Sequence, residues 1–299
     1  MSYKILCIDG GGIRGVFALE ILRMIQEDLG KDVFKQFDCF SGTSTGALIV
    51  SALLKGYQPS ELSHFYSLFG RKIFPKGRKG VIGEAKYSQN FLKAVLQTTW
   101  SEKTTLADLK KQIIITACRL HGSFGVEIYD NFDLEKAKEW GLVDIALRSS
   151  AAPVYFPSYQ KYIDGGVYAL NPSLLALSRV LDPQGGNKNI SDIKILSIGT
   201  GINPASINEE INWGAHEWMS PYNEVADYPL FSLMTEISST IPEYPLTQLL
   251  KENYLRINAT LPSPVEIDDP TKISLLKETA RNLKEKNPQT WTRYIDWIR

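Results

Sequence analysis

Short β-prone apolar runs alternate with longer stretches of helical periodicity along most of the chain. Lys4–Ile8 is strand-like and stops at Asp9, after which Val16, Leu19, Leu22, Met24 and Ile25 fall on one face of a helix that ends by Gly30. Phe37–Ser41 predicts a second strand, Ala47–Lys55 a mostly apolar helix ended by Gly56, and Pro59–Phe69 a helix with Ser60 as its cap. Ile113–Cys118 and Val126–Tyr129 predict further strands, and Val143–Ser150 a short helix closed by Pro153. Tyr162–Ile163 enters an Asp-Gly-Gly turn, Pro172–Leu181 is a helix with Pro in its first turn, and Ile193–Ile198 is a continuous apolar strand. Tyr254–Asn258 predicts a last strand and Thr271–Lys286 an amphipathic helix.

Strands and helices in alternation predict an α/β fold, a three-layer α/β/α sandwich with a mostly parallel central sheet. No repeat and no Gly-, Ser- or Pro-rich linker divides the chain, so a single domain over 1–299 is expected, with its motifs within 4–200. Residues 203–245, which hold Trp213, Trp218 and Tyr222, read as an insertion or lid over the sheet edge, and 271–299 as a C-terminal helical extension. Trp291, Tyr294, Ile295 and Ile298 recur at helical spacing, which points to packing on the body of the protein.

Composition changes this picture mainly by exclusion. In 299 residues, 33 Lys and Arg balance 33 Asp and Glu, so no global basic footprint for a nucleic-acid polymer exists. Apolar runs stay far below the ~18 residues of a membrane-spanning helix, and the N-terminus carries no secretory signal. Cys7, Cys39 and Cys118 are odd in number and lie in apolar runs, which reads as reduced core thiols in a cytoplasmic protein. Neither C-x-x-C nor H-E-x-x-H occurs, and Asp268-Asp269 lacks the spacing of a calcium loop and reads as a solvated turn before Pro270. No metal and no cofactor is expected.

Two glycine turns carry candidate chemistry. Gly10-Gly11-Gly12-Ile13-Arg14-Gly15 follows a strand and opens a helix, which fits a dinucleotide fingerprint. Against that reading, Asp9 would set a carboxylate beside a pyrophosphate, and no acidic residue ends the second strand where ribose binding needs one. The same glycines free backbone N–H groups beside a helix N-terminus, which suits any anion, an oxyanion included. Gly42-Thr43-Ser44-Thr45-Gly46 is a G-x-S-x-G between strand and helix, where the glycines permit the bend that holds a serine hydroxyl out. Asp164-Gly165-Gly166 is a third such turn, and its carboxylate is a candidate base.

These three motifs in this order, with Ser149-Ser150-Ala151-Ala152-Pro153 and Phe156-Pro157 as a fourth block, resemble the patatin-like phospholipase family over roughly residues 4 to 260. The resemblance implies a calcium-independent Ser–Asp dyad that hydrolyses acyl esters of membrane phospholipids or other lipids. Ser44 would be the nucleophile, Asp164 the proton acceptor and Gly10, Gly11 and Gly12 the oxyanion donors. Some bacterial stand-alone members are membrane-degrading effectors switched on by cyclic oligonucleotides in anti-phage defence, which makes a cyclic nucleotide a candidate activator and transient membrane-surface binding an expectation. Two other readings stay open: a nucleotide-binding protein built on Gly10–Gly15, and a non-catalytic storage or interaction protein of the same fold.

A triad in the order Ser44, Asp164, His216 can also be drawn, although His64, His121 and His216 all read as surface or packing residues. Arg14 reads equally as a charge beside an oxyanion or lipid phosphate and as a salt bridge pinning the turn to Asp9. Arg71, Lys72, Lys76, Arg78 and Lys79 surround Ile73 and Phe74. That segment reads either as a solvated loop or as a contact for anionic lipid or the activator, with Ile73 and Phe74 dipping into the interface.

Overall fold

A computed structural model describes residues 2–76, 83–204, 206–207, 210–221 and 223–299. Strand β1 (Tyr3–Ile8) is buried from Ile5 to Ile8, because it lies inside a sheet covered on both faces. The other strands are β2 (Cys39–Gly42), β3 (Gln112–Arg119), β4 (Gly125–Asp130), β5 (Tyr162–Asp164), β6 (Ile193–Ile198) and β7 (Tyr254–Ile257). Their order is β4-β3-β2-β1-β6-β7, parallel except for β4 and β5, which run antiparallel to β3.

The two-residue period of the strands divides the core in two. Ile5, Cys7, Cys39, Ile114 and Ile195 face Ala176, Leu177 and Val180 of the helix Ser173–Leu181 and Leu246 and Leu250 of the helix Glu243–Leu250. Leu6, Ile8, Phe40, Ile115 and Ile198 face the opposite layer, which contains α1 (Gly15–Leu29), α2 (Thr45–Leu54) and the helix Leu142–Ser149. The result is the three-layer sandwich that the alternation of elements predicts. Cys7 and Cys39 are fully buried, Cys118 is half-buried, and all three are free thiols.

Helix α1 is buried on nearly every side because the helices Ile273–Glu285 and Pro288–Ile298 pack on its outer face. Trp291, Ile295 and Ile298 enter the core there, and Arg281 and Lys284 reach Glu20 and Asp28 at 2.7 and 2.6 Å. Helix α3 (Pro59–Ile73) starts from Gln58 and not Ser60. The Gln58 N–H donates to Glu61 at 2.7 Å, a capping box that the Pro at the first position displaces by two residues from the expected cap.

The placement of β5 organises the rest. β2 ends at Gly42, opposite Ile115, while β4 covers the other edge of β3 from Ile114 to Arg119. Past Ile115 the edge that β2 vacates is taken by β5, which sets Asp164 opposite Ala117. Two segments far apart in sequence are thereby laid end to end along one strand.

Within 203–245, the helix Pro229–Thr240 packs over the turn after β5 and not along the sheet edge. Ser238 Oγ accepts the N–H of Leu170 and donates to the carbonyl of Gly166, both at 3.2 Å.

Candidate active site

The turn from β2 into α2 places Ser44 at φ 55° and ψ −123°, a conformation that a residue with a Cβ adopts only when its surroundings enforce it. The enforcement is visible. A Cβ on Gly46 would stand 2.1 Å from the carbonyl oxygen of Ile8, and one on Gly42 would stand 2.4 Å from the Gly46 backbone. The bend is therefore tight enough to exclude any side chain on either flank. Ser44 N–H donates to Ser149 Oγ at 2.9 Å, and Thr43 Oγ1 donates to the carbonyl of Ala169 at 2.7 Å. Thr45 shares a hydrogen bond with the hydroxyl of Tyr66.

Asp164 arrives beside this turn at the end of β5. Its N–H donates to the carbonyl of Ala151 at 3.0 Å, and its Oδ1 accepts the N–H of Gly166 at 2.7 Å. Burial raises its pKa to about 7, while hydrogen bonding from the Ser44 side chain and the Gly166 N–H pulls it downward. A carboxyl held there takes a proton from a hydroxyl far more readily than one at its ordinary value.

The glycine loop approaches from β1, and its N–H groups are not equivalent. Gly10 donates to the carbonyl of Leu170, Ile13 to that of Ile267 and Arg14 to that of Gly11, at 2.9, 2.8 and 3.0 Å, and Gly15 turns back to Gly12 and Ile13. Among the described residues only the Gly11 and Gly12 N–H groups of this loop have no partner, and both glycines line the same cavity as Ser44 and Asp164. The donor set expected from the motif thus contracts from Gly10–Gly12 to Gly11 and Gly12. Gly12 sits at φ 56° with the carbonyl of Ile267 strapped across it, where a Cβ would come within 2.2 Å.

Of the two readings of Arg14, the salt bridge forms, but with Glu236 and not with Asp9. Arg14 is buried and pairs with Glu236 of the helix Pro229–Thr240 at 2.5 Å, its Nε having no partner among the described residues. Asp9 instead takes both terminal nitrogens of Arg256, at 2.8 and 2.5 Å, and one of these also donates to Ser197. Burial nevertheless lifts Asp9 to about 6, the nearby Arg256 opposing the rise.

The cavity at Ser44 measures about 240 Å³. Leu48 and Ala52 of α2, Phe65 of α3, and Leu92, Leu96 and Trp100 of the helix Asn90–Trp100 line it, so its wall is apolar away from the polar turns. No histidine lines it. His216 is 89% exposed, and its carboxylate neighbour is Glu217 rather than Asp164, so the geometry does not form the Ser–Asp–His alternative.

The described part of the basic segment, Arg71 to Lys76, is not the loop that the sequence suggests. Arg71 and Lys72 belong to α3, Lys72 resting over the rings of Phe69 and Phe91 at 5.7 Å, and Lys76 is exposed just beyond. Phe74 does not face outward: it packs against Tyr87 and Phe156 in the core, and Ile73 lines the cavity. Arg78 and Lys79 lie outside the described residues. Asp268, expected to solvate a turn, is buried against Lys86 and accepts from Tyr87 Oη at 2.7 Å, while Asp269 caps the N–H of Thr271. Sequence reasoning gave no partner role to Ser149, Tyr66, Glu236 or Ile267. Only Ser149 stood in a recognisable block, and the other three reach the site from elements whose docking no local pattern encodes.

A strained serine at a strand-to-helix bend with a buried carboxyl beside it is an arrangement suited to ester hydrolysis, and the class of this protein is that of the lipid acyl hydrolases. The family model described as "Patatin-like phospholipase" matches residues 6–177, and the chain belongs to that family. A cGAMP-activated phospholipase of Pseudomonas aeruginosa is 28% identical over 275 residues, covering 86% of this chain and 78% of the relative. The intracellular phospholipase A2 of Caenorhabditis elegans is 32% identical over 224 residues, covering 70% of this chain and 20% of that protein. Among solved structures, VipD from Legionella pneumophila aligns over 95% of this chain and 67% of its own, with 11% identity and a TM-score of 0.43.

Proposed function

We propose that the protein cleaves acyl esters of membrane phospholipids through Ser44 and Asp164, with the Gly11 and Gly12 N–H groups as the oxyanion hole. The observation that carries this reading is the strained Ser44 beside a buried Asp164 whose pKa stands at about 7. Ser44 Oγ attacks the ester carbonyl carbon as its proton passes to Asp164, and the carbonyl oxygen becomes an oxyanion facing Gly11 and Gly12. The carbon–oxygen bond to the lysolipid then breaks, and Asp164 returns the proton to the departing oxygen. Water attacks the acyl-enzyme by the same route, giving its proton to Asp164 and releasing the fatty acid while Ser44 is regenerated. The apolar cavity wall takes up the acyl chain.

No helix among the described residues is long and apolar enough to cross a membrane. The three unpaired thiols support a cytoplasmic location, and the acyl-chain cavity supports transient visits to the membrane surface. The likeness to a phospholipase named for cGAMP activation supports a cyclic nucleotide as activator, with Arg71, Lys72 and Lys76 as exposed cations available to a phosphate. The test is fatty-acid release from phospholipid vesicles, with and without cGAMP, by the wild-type and Ser44→Ala proteins. Release that depends on Ser44, together with phosphonate labelling at Ser44, is expected. Labelling elsewhere with full loss of activity would refute the assignment.

A further inference from the structure

We infer that the outward face of the helix Pro229–Thr240, continued by Ile241 and Tyr244, is the surface on which the protein rests against a lipid bilayer. The inference rests on the lipid-hydrolase reading above and adds to it the element that meets the membrane.

Leu230, Leu233, Met234, Ile237 and Ile241 are 39, 44, 46, 50 and 55% exposed. Their spacing of three, one, three and four residues puts them in one stripe of the helix. The stripe is not the side that packs on the protein. That side is formed by Phe231 and Thr235, which line the cavity, and by Ser238, which is bonded to the turn after β5. A soluble helix with one buried face ordinarily presents polar residues on the other, whereas here the second face is apolar as well.

Charge narrows the choice of occupant. Between Pro229 and Leu250 the only charged residues are Glu236, which turns inward onto Arg14 at 2.5 Å, and Glu243, 41% exposed but held by Arg256 at 3.3 Å. The stripe from Leu230 to Ile241 therefore carries no formal charge of its own and offers no ionic contact to a nucleic acid or a charged protein partner. Tyr244, 77% exposed one turn further on, has the apolar ring and polar tip that suit the depth of lipid headgroups. Continuity with the site favours a bilayer over a second copy of the chain. The helix is one wall of the cavity at Ser44, so a membrane seated on its outer side lies a single helix diameter, about 10 Å, from the chamber that receives the acyl chain.

The test uses the full chain in a Ser44→Ala background, so that binding is read without turnover. The parent and a variant carrying Leu233→Ser, Met234→Ser and Ile237→Ser are floated with neutral phosphatidylcholine vesicles. The triple variant should bind about tenfold more weakly or worse, since interfacial affinity scales with buried apolar area. Its melting temperature should stay within about 2 °C of the parent, the three side chains being exposed. With Ser44 intact, the triple variant should lose vesicle hydrolysis to a similar extent while hydrolysing a short soluble ester within about twofold of wild type. Equal flotation of parent and triple variant overturns the inference. So does a parent dimer that the triple variant splits while vesicle binding is retained, which would assign the stripe to self-association. If the Ser44-intact protein hydrolyses neither vesicle lipid nor soluble ester, yet flotation depends on the stripe, the docking surface stands and the hydrolase reading fails.

Discussion

Asp164→Asn should stabilise the protein and almost abolish its activity at once. Burial holds the Asp164 carboxyl at about 7, against an ordinary value of 3.8. Each unit of such a difference corresponds to about 1.4 kcal/mol, so keeping this side chain ionised in the folded state costs up to about 4 kcal/mol. The sign follows from proton binding: the folded state holds the proton more tightly than the unfolded chain. The contribution of this group to stability is therefore greatest below about pH 4, falls as pH rises towards 7, and changes no further above that. Asn keeps the shape and still accepts the N–H of Gly166, but carries no charge. Asp9 and Glu266, raised to about 6 and about 7, titrate in the same window with the same sign, but both proteins contain them and they cancel in the difference. In urea unfolding, the stability advantage of the variant should widen by about 2–3 kcal/mol between pH 5 and pH 8. Over the same range wild-type kcat/KM should rise with a single apparent pKa near 7, and the variant should run about 10²–10⁴-fold slower without that rise. An advantage that does not widen with pH would show that burial does not hold the carboxyl up, and near-normal turnover by the Asp164→Asn protein would remove this carboxyl as the base.

Gly46→Ala forces a Cβ to within 2.1 Å of the Ile8 carbonyl, so β1 or the bend must shift. A loss of about 1–3 kcal/mol with much slower phosphonate labelling of Ser44 is expected, and an unchanged melting temperature and labelling rate would refute the close-packed bend. Arg256→Ala strands Asp9 in the core and should cost about 3–5 kcal/mol at pH 8. Because Arg256 is what lowers Asp9 against burial, the carboxyl of the variant takes a proton at higher pH still, and the loss should be smaller at pH 5. Equal losses at both pH values in urea unfolding would contradict that account.

Elements whose cause is local were legible in the sequence. The buried parallel strands show as continuous apolar runs, and the bend at Ser44 shows because only glycine fits at Gly42 and Gly46. What stayed hidden depends on docking. Arg14 and Glu236 are 222 positions apart, and Asp9 and Arg256 are 247 apart, so no window of sequence relates them. Basic residues around Phe74 suggested a surface loop, but hydropathy cannot tell a ring inserted into lipid from one packed on Tyr87 and Phe156. The glycine motif suggested an anion cradle without distinguishing its members, since the engagement of the Gly10 N–H depends on where the carbonyl of Leu170 falls.

The end-to-end arrangement of β2 and β5 on β3 makes that strand a ruler between the two halves of the site. Ser44 lies two residues past Gly42, which faces Ile115, and Asp164 faces Ala117, so the gap between them is measured by the two steps of β3 through Thr116. The 120 positions that separate the two residues along the chain do not enter that measurement. The loops between α2 and β3, or between β4 and β5, can therefore lengthen or shorten with the distance from hydroxyl to carboxyl preserved, provided that Ser149 and Ala151 keep their bonds to Ser44 and Asp164. A single residue inserted into or deleted from β3 beside Thr116 would change that distance directly.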